Sequence, residues 1–200
     1  MTNTPKTLTQ SETSAFLYAL LSRANNKSRS RKAYRNHCLA LLMLDAGLRV
    51  GEATRLFVSD LWFKGEPVSN LTVPAEIAKN HKERSIPVSA RLRSAIIAHA
   101  ACEWPNPTQC LTWYAFYYRA PFKPITTRQV ERTFARIGLK SIGKKVNPHL
   151  LRHTFASRLM RKTNARIVQE LLGHSSLTST QIYTHPNSDD LKDAIDSLDC

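Results

Sequence analysis

His149 and Arg152 stand three residues apart just behind Asn147-Pro148, a pair that opens helices, so both side chains leave one face of the first helical turns. A guanidinium grips two phosphate oxygens at once, and an imidazole within reach can exchange a proton with a reacting oxygen. Taken alone, H-x-x-R is also compatible with a purely structural role. His153 follows His149 by four residues and raises the question of zinc. No glutamate occupies the H-E-x-x-H position, and Arg152 would repel a cation, so no metal site is predicted.

Two further segments carry chemically able side chains. Leu171-Leu172-Gly173-His174-Ser175-Ser176 reads as a helix end, a glycine stop and a new capped start, and Tyr183 follows His174 by nine residues. Tyr183 is either a core residue of an amphipathic helix or, given its polar flanks Thr178 to Gln181 and Thr184-His185, an exposed phenol. Neighbouring cations would favour its phenolate, a nucleophile whose unperturbed pKa is about 10. Nearer the start, Gly47-Leu48-Arg49-Val50-Gly51-Glu52 sets an arginine between glycines at a helix start, against the preference of the helix dipole. That placement points weakly to an anionic ligand.

The chain that must position these residues has 200 of them, enough for one or two domains with a core of their own. Lysine and arginine number 29 against 15 acidic residues, a net charge of +14 that favours a polyanionic partner, nucleic acid first. The longest apolar stretches, such as Cys38 to Leu44, are too short to span a bilayer, and Met1 to Gln10 lacks a secretory core, so a soluble cytoplasmic protein with no membrane partner is expected. Cys38, Cys102, Cys110 and Cys200 show no paired spacing and are read as reduced thiols.

Thr9 and Glu12 form a capping-box pattern ahead of Phe16, Leu17, Leu20 and Leu21, which predicts a first helix ending near Asn25. From Ser22 to Asn36 come Arg23, Lys27, Arg29, Arg31, Lys32 and Arg35 and no acid; this run is either a solvated linker or a strip along DNA phosphates. A helix from about His37 to Ala46 is then stopped by Gly47. Leu71 to Val73 and Ser85 to Val88 read as strands of a small antiparallel sheet around a Lys79–Lys82 turn. Helical spacing returns at Leu92, Ile96 and Ile97, at Val130, Phe134 and Ile137, and at Leu150, Leu151, Phe155 and Leu159. The aromatic segment Trp113 to Tyr118 reads as core. The fold class is therefore mostly α with a small antiparallel β-sheet. The tail, with Leu191, Ala194, Ile195 and Leu198 at helical spacing and five aspartates, reads as an acidic amphipathic helix over 187–200.

Together these segments resemble the tyrosine recombinases, or phage integrase family, from about Leu8 to His185. The family's first arginine box is matched by Ala46 to Glu52, its hairpin lysine box by Ala78-Lys79-Asn80-His81-Lys82-Glu83-Arg84, its H-x-x-R box by His149 to His153, and its last box by Leu171 through Tyr183. The resemblance implies an active set of Arg49, Lys79, His149, Arg152, His174 and Tyr183, with Lys79 rather than Lys82 as the hairpin lysine. It implies attack by Tyr183 on a phosphodiester of double-stranded DNA, giving a 3′-phosphotyrosyl link. Arg49 and Arg152 would neutralise the nonbridging oxygens, Lys79 would protonate the leaving 5′ oxygen, His149 would assist deprotonation, and His174 would bond the phosphate. No cofactor is implied.

The chain departs from the family pattern in two ways. Fewer than fifty residues precede Arg49, where relatives usually carry a DNA-clamping domain; the expectation is a single catalytic domain over 1–186, similar in size to the short recombinases that invert fimbrial promoters. An accessory DNA-binding protein could replace the clamp, and a homo-oligomer, a tetramer on paired sites, is the implied assembly. Secondly, Asn80 stands where the hairpin box commonly has glycine. Site-specific recombination is the favoured activity; a relaxing enzyme like the type IB topoisomerases and a noncatalytic DNA-binding regulator are the alternatives.

Overall fold

The computed structural model describes residues 7–22 and 27–173. Helix α1 (Gln10–Leu21) starts as its sequence dictates: the Thr9 hydroxyl accepts from the Glu12 amide at 3.2 Å, and the Thr9 amide donates to the Glu12 carboxylate at 2.9 Å. The central element is α2 (Lys27–Asp45). Cys38 through Met43 are all completely buried, so this stretch of the helix is enclosed on every side; α2 packs against α1, α5 (Ala90–Glu103) and α7 (Pro148–Met160).

Helix α2 begins ten residues before the predicted start at His37. Much of the basic run is helix, not linker, because lysine and arginine are good helix formers and two of the cations have partners within the fold. Arg31 forms a fork on the Glu103 carboxylate, with hydrogen bonds of 2.8 and 2.9 Å, and Arg35 donates to the Tyr117 carbonyl at 2.9 Å.

Short helices α3 (Val50–Ala53) and α4 (Val58–Leu61) lead into two antiparallel hairpins. In the first, β1 (Trp62–Phe63) pairs with β2 (Glu66–Pro67); it was not foreseen, its strands being two residues each. In the second, β3 (Asn70–Val73) pairs with β4 (Arg84–Pro87), with Leu71 opposite Ile86 and Val73 opposite Arg84, as the alternation predicts. Inward-facing positions of β4 are Arg84 and Ile86.

Helix α6 (Thr127–Ile142) buries Val130, Phe134 and Ile137, and Phe134 meets Phe16 of α1 edge to face at 5.7 Å. Ala115, Phe116 and Tyr117 are core, whereas Tyr118 and Ile97 face outward, against the simple periodicity reading. Asn147 caps α7 through the Leu150 amide, and Asn164 caps α8 (Ala165–Leu172) through the Ile167 amide. Ala156, Val168 and Leu172 form a small core apart from the main one. Cys38, Cys102 and Cys110 are free thiols. Among the described residues no helix is long and apolar enough to cross a membrane. The predicted tail helix over 187–200 lies outside the described residues, as does Arg23.

Candidate active site

Arg49 sits where α2 has turned into α3. Gly47, at φ +62°, makes that turn: a Cβ there would lie 2.5 Å from Phe155, so only glycine fits both the backbone and the space. The Leu48 amide closes the turn on the Leu42 carbonyl at 3.1 Å. Arg49 caps α3, its amide donating to Glu52 Oε2 at 2.8 Å and its guanidinium to Glu52 Oε1 at 3.1 Å.

Glu52 is the anion around which the site is built. Its side chain is 2% exposed, and besides Arg49 it receives two hydrogen bonds from Arg84, at 2.6 and 3.2 Å. Burial by itself raises the Glu52 pKa, but the hydrogen bond and charge of Arg84, the Arg49 amide and the nearby Arg152 outweigh it and hold the carboxyl below its ordinary range. Glu52 and Arg84 had no assigned role in the sequence reading. The signals were there: Glu52 stands at the N3 spacing of a capping box, and Arg84 falls on the inward register of an alternating strand, where a cation requires an acid.

The end of α8 gathers the remaining elements. A helix C-terminus leaves its last carbonyls without intrahelical partners and carries partial negative charge. Here three successive carbonyls each accept from a different side chain: Leu171 from Arg84 Nε at 3.1 Å, Leu172 from Arg152 Nη2 at 2.8 Å, and Gly173 from Asn80 Nδ2 at 2.8 Å. Arg152 also donates through Nη1 to the Gly47 carbonyl, so one guanidinium ties α7 both to the Arg49 turn and to the end of α8. Its two anchors and 5% exposure make it a fixed cation.

His149 is exposed one turn before Arg152 on α7. Its ring centre lies 6.5 Å from that of His153, whose pKa is lowered by burial first and then by the neighbouring His149 and Arg152. Lys79 and Asn80 are both exposed at the middle of a turn closed by the His81 amide on the Ala78 carbonyl at 3.0 Å. Arg49, Arg152 and the Lys79 turn are thereby linked through Glu52, Arg84, Asn80 and the end of α8. His174 follows directly in the chain; it and Tyr183 lie outside the described residues.

The basic run divides. The Arg31 side chain is 45% exposed while it holds the buried Glu103, whereas Arg35 is 8% exposed and burial lowers its pKa despite the attraction of Glu103. Lys32 is exposed. Lys27 and Arg29 begin α2, with side chains outside the described set. The expectation of six DNA-facing cations is corrected for Arg35, because its Nη1 is spent on Tyr117 and its Nε is buried.

The sequence profile of the phage integrase family matches residues 6–189. The chain belongs to the phage integrase family. Among its relatives, a tyrosine recombinase of Pseudothermotoga lettingae is 33% identical over 171 residues, covering 84% of this chain and 56% of that protein. Tyrosine recombinase XerA of Pyrococcus horikoshii is 32% identical over 193 residues, covering 96% of this chain and 62% of that protein. The crystal structure of XerA recombinase superposes with a TM-score of 0.76 at 27% identity, over 98% of this chain and 64% of that one. The XerH recombinase bound to its difH substrate shares the fold, with a TM-score of 0.70 at 24% identity over 99% of this chain and 54% of that one. This phage integrase family chain thus spans a little over half the length of the curated relatives it matches.

Proposed function

We propose that this chain cuts and rejoins double-stranded DNA at specific sites through a 3′-phosphotyrosyl intermediate. The observation that carries the reading is the double anchoring of Arg152, which fixes one guanidinium against the turn that bears Arg49. Two fixed arginines meet the charge on the nonbridging oxygens of a five-coordinate phosphorus without a metal ion. Tyr183 supplies the attacking oxygen, and its proton passes to His149. The P–O5′ bond breaks toward O5′, which takes a proton from Lys79, and His174 bonds the phosphate. Storing the bond on tyrosine allows rejoining without ATP.

Relatives named as recombinases, one solved on its DNA substrate, favour recombination over relaxation or mere binding. Assembly as a homo-oligomer on paired sites fits the acidic tail, because a groove lined by Leu44, Phe155, Leu159, Arg158, Arg161 and Lys162 offers apolar surface and positive charge to a neighbour's tail. Lys32 and the start of α2 would contact DNA phosphates, with or without an accessory protein.

Tyr183→Phe is the direct test. The variant retains DNA affinity and forms no covalent adduct on nicked duplexes drawn from the DNA flanking the gene on which the parent forms one; an adduct in that variant overturns the assignment. Exchange between two sites, against mere loss of supercoils from a single-site plasmid, separates recombinase from relaxing enzyme.

A further inference from the structure

We propose that Asn80 is a positioning residue: its side-chain amide latches the turn carrying Lys79 onto the carbonyl of Gly173, the residue that caps α8, so that the proton donor is set in place before DNA arrives. This rests on the reading of Lys79 as the donor to the leaving oxygen.

Lys79 and Asn80 are the two central residues of the Ala78–His81 turn, so fixing one fixes the other's backbone. The hairpin is held to α8 at two points. Arg84, at the base of β4, reaches the Leu171 carbonyl; Asn80, at the tip, reaches the Gly173 carbonyl at 2.8 Å. Two attachments stop the hairpin from pivoting where one would not. A residue without a side-chain donor at position 80 could make only the first. The second attachment ends on the peptide that leads into His174.

A proton donor accelerates P–O5′ cleavage only if it lies near the oxygen as the bond breaks, and a long lysine on a loose exposed turn spends most of its time elsewhere. Holding the turn removes part of that search. The latch is also available to the enzyme without DNA, since Asn80 and Gly173 both belong to the protein.

The test uses Asn80→Ala and Lys79→Ala in the full chain, on two nicked duplexes of a flanking-DNA sequence that the parent cleaves, identical except that one has sulfur at the bridging 5′ position. An alkoxide must be protonated as it leaves; a thiolate, with a pKa of about 8.5 for cysteine, leaves without a proton. Asn80→Ala is expected to slow covalent adduct formation about tenfold or more on the oxygen substrate, and to match the parent on the sulfur substrate with unchanged DNA affinity. Lys79→Ala shows the same pattern more deeply. Amide exchange across residues 79–83 of the free protein accelerates in Asn80→Ala while α2 and α5 stay protected, which shows the variant folded and the latch released. If Asn80→Ala is slow on both substrates, or as fast as the parent on both, the positioning role is wrong. If Lys79→Ala stays slow on sulfur, the donor assignment itself has failed and the proposal falls with it.

Discussion

Glu52 and Arg84, 32 residues apart in the chain, are joined by two hydrogen bonds with both side chains almost fully buried. The bond pins the second hairpin to the turn that presents Arg49, and it places the negative charge of the carboxylate between two arginines that would otherwise repel. A buried ion pair of this kind gains little over apolar packing but is costly to break singly, because the surviving partner keeps its charge without compensation.

Glu52→Ala is accordingly expected to lose about 3–5 kcal/mol of stability, read from urea denaturation at neutral pH. The acid limb gives a second measurement. The folded pKa of Glu52 lies below its unfolded value of about 4.3, so the stability it contributes is present above that value and disappears as pH falls through the depressed one. A Glu52→Gln variant should lose less stability than the parent between neutral pH and pH 2. Parallel curves would show that Glu52 does not carry this part of the acid sensitivity.

Arg31 and Lys32 are neighbours with opposite assignments. Arg31→Ala removes the fork on Glu103 and should cost about 1–2 kcal/mol of stability with little change in the salt dependence of DNA affinity. Lys32→Ala should leave stability within about 0.5 kcal/mol and lower the slope of log affinity against log salt by about one. The reverse pattern would place the phosphate contact on Arg31.

Gly47→Ala tests the turn beneath Arg49. A left-handed alanine costs about 1–2 kcal/mol before any clash, and its Cβ would meet the Phe155 ring at 2.5 Å. Stability and cleavage should therefore fall together, whereas Gly51→Ala, with nothing within 4 Å, should be tolerated. A thermal midpoint for Gly47→Ala equal to that of the parent would contradict the packing.

Arg152→Lys keeps the charge and loses the fork. An ammonium cannot hold the Gly47 and Leu172 carbonyls in the same geometry, so cleavage should drop by about 10²-fold or more even though the net charge is unchanged. Because guanidinium groups supply the charge stabilisation, cleavage by the parent protein should persist in chelator; its loss there, with recovery on adding a divalent ion, would assign that part to a metal.

Elements with strong local signals were legible from sequence. The α1 capping box, the alternation of β3 and β4, and the Asn147-Pro148 start of α7 each follow from residues within four or five positions of one another. The early start of α2 was not, because a basic run reads as linker until Glu103 and Tyr117, more than seventy residues away, are known to pair with it. Arg49, Lys79, His149 and Arg152 stand out from motifs, and of these the structure links Arg49, Arg152 and the Lys79 turn through contacts that join distant segments. Glu52 and Arg84 each carry a local signal, a capping-box position and an inward strand register, but their pairing with each other and the bond from Asn80 to Gly173 join segments 32 and 93 residues apart and show only in the fold.

Helix α8 packs Val168 and Leu172 with Ala156 in a small core of their own and only Leu171 against the main one, and its end is tied to the rest of the fold by three side-chain hydrogen bonds. With fewer buried contacts than α2, α8 is expected to open at a lower free energy than the core around that helix. In native-state hydrogen exchange the amides of α8 should open at denaturant concentrations that leave Cys38 to Met43 untouched. Opening of α8 would loosen Arg84, Arg152 and Asn80 in one event, since all three bond the carbonyls at its end.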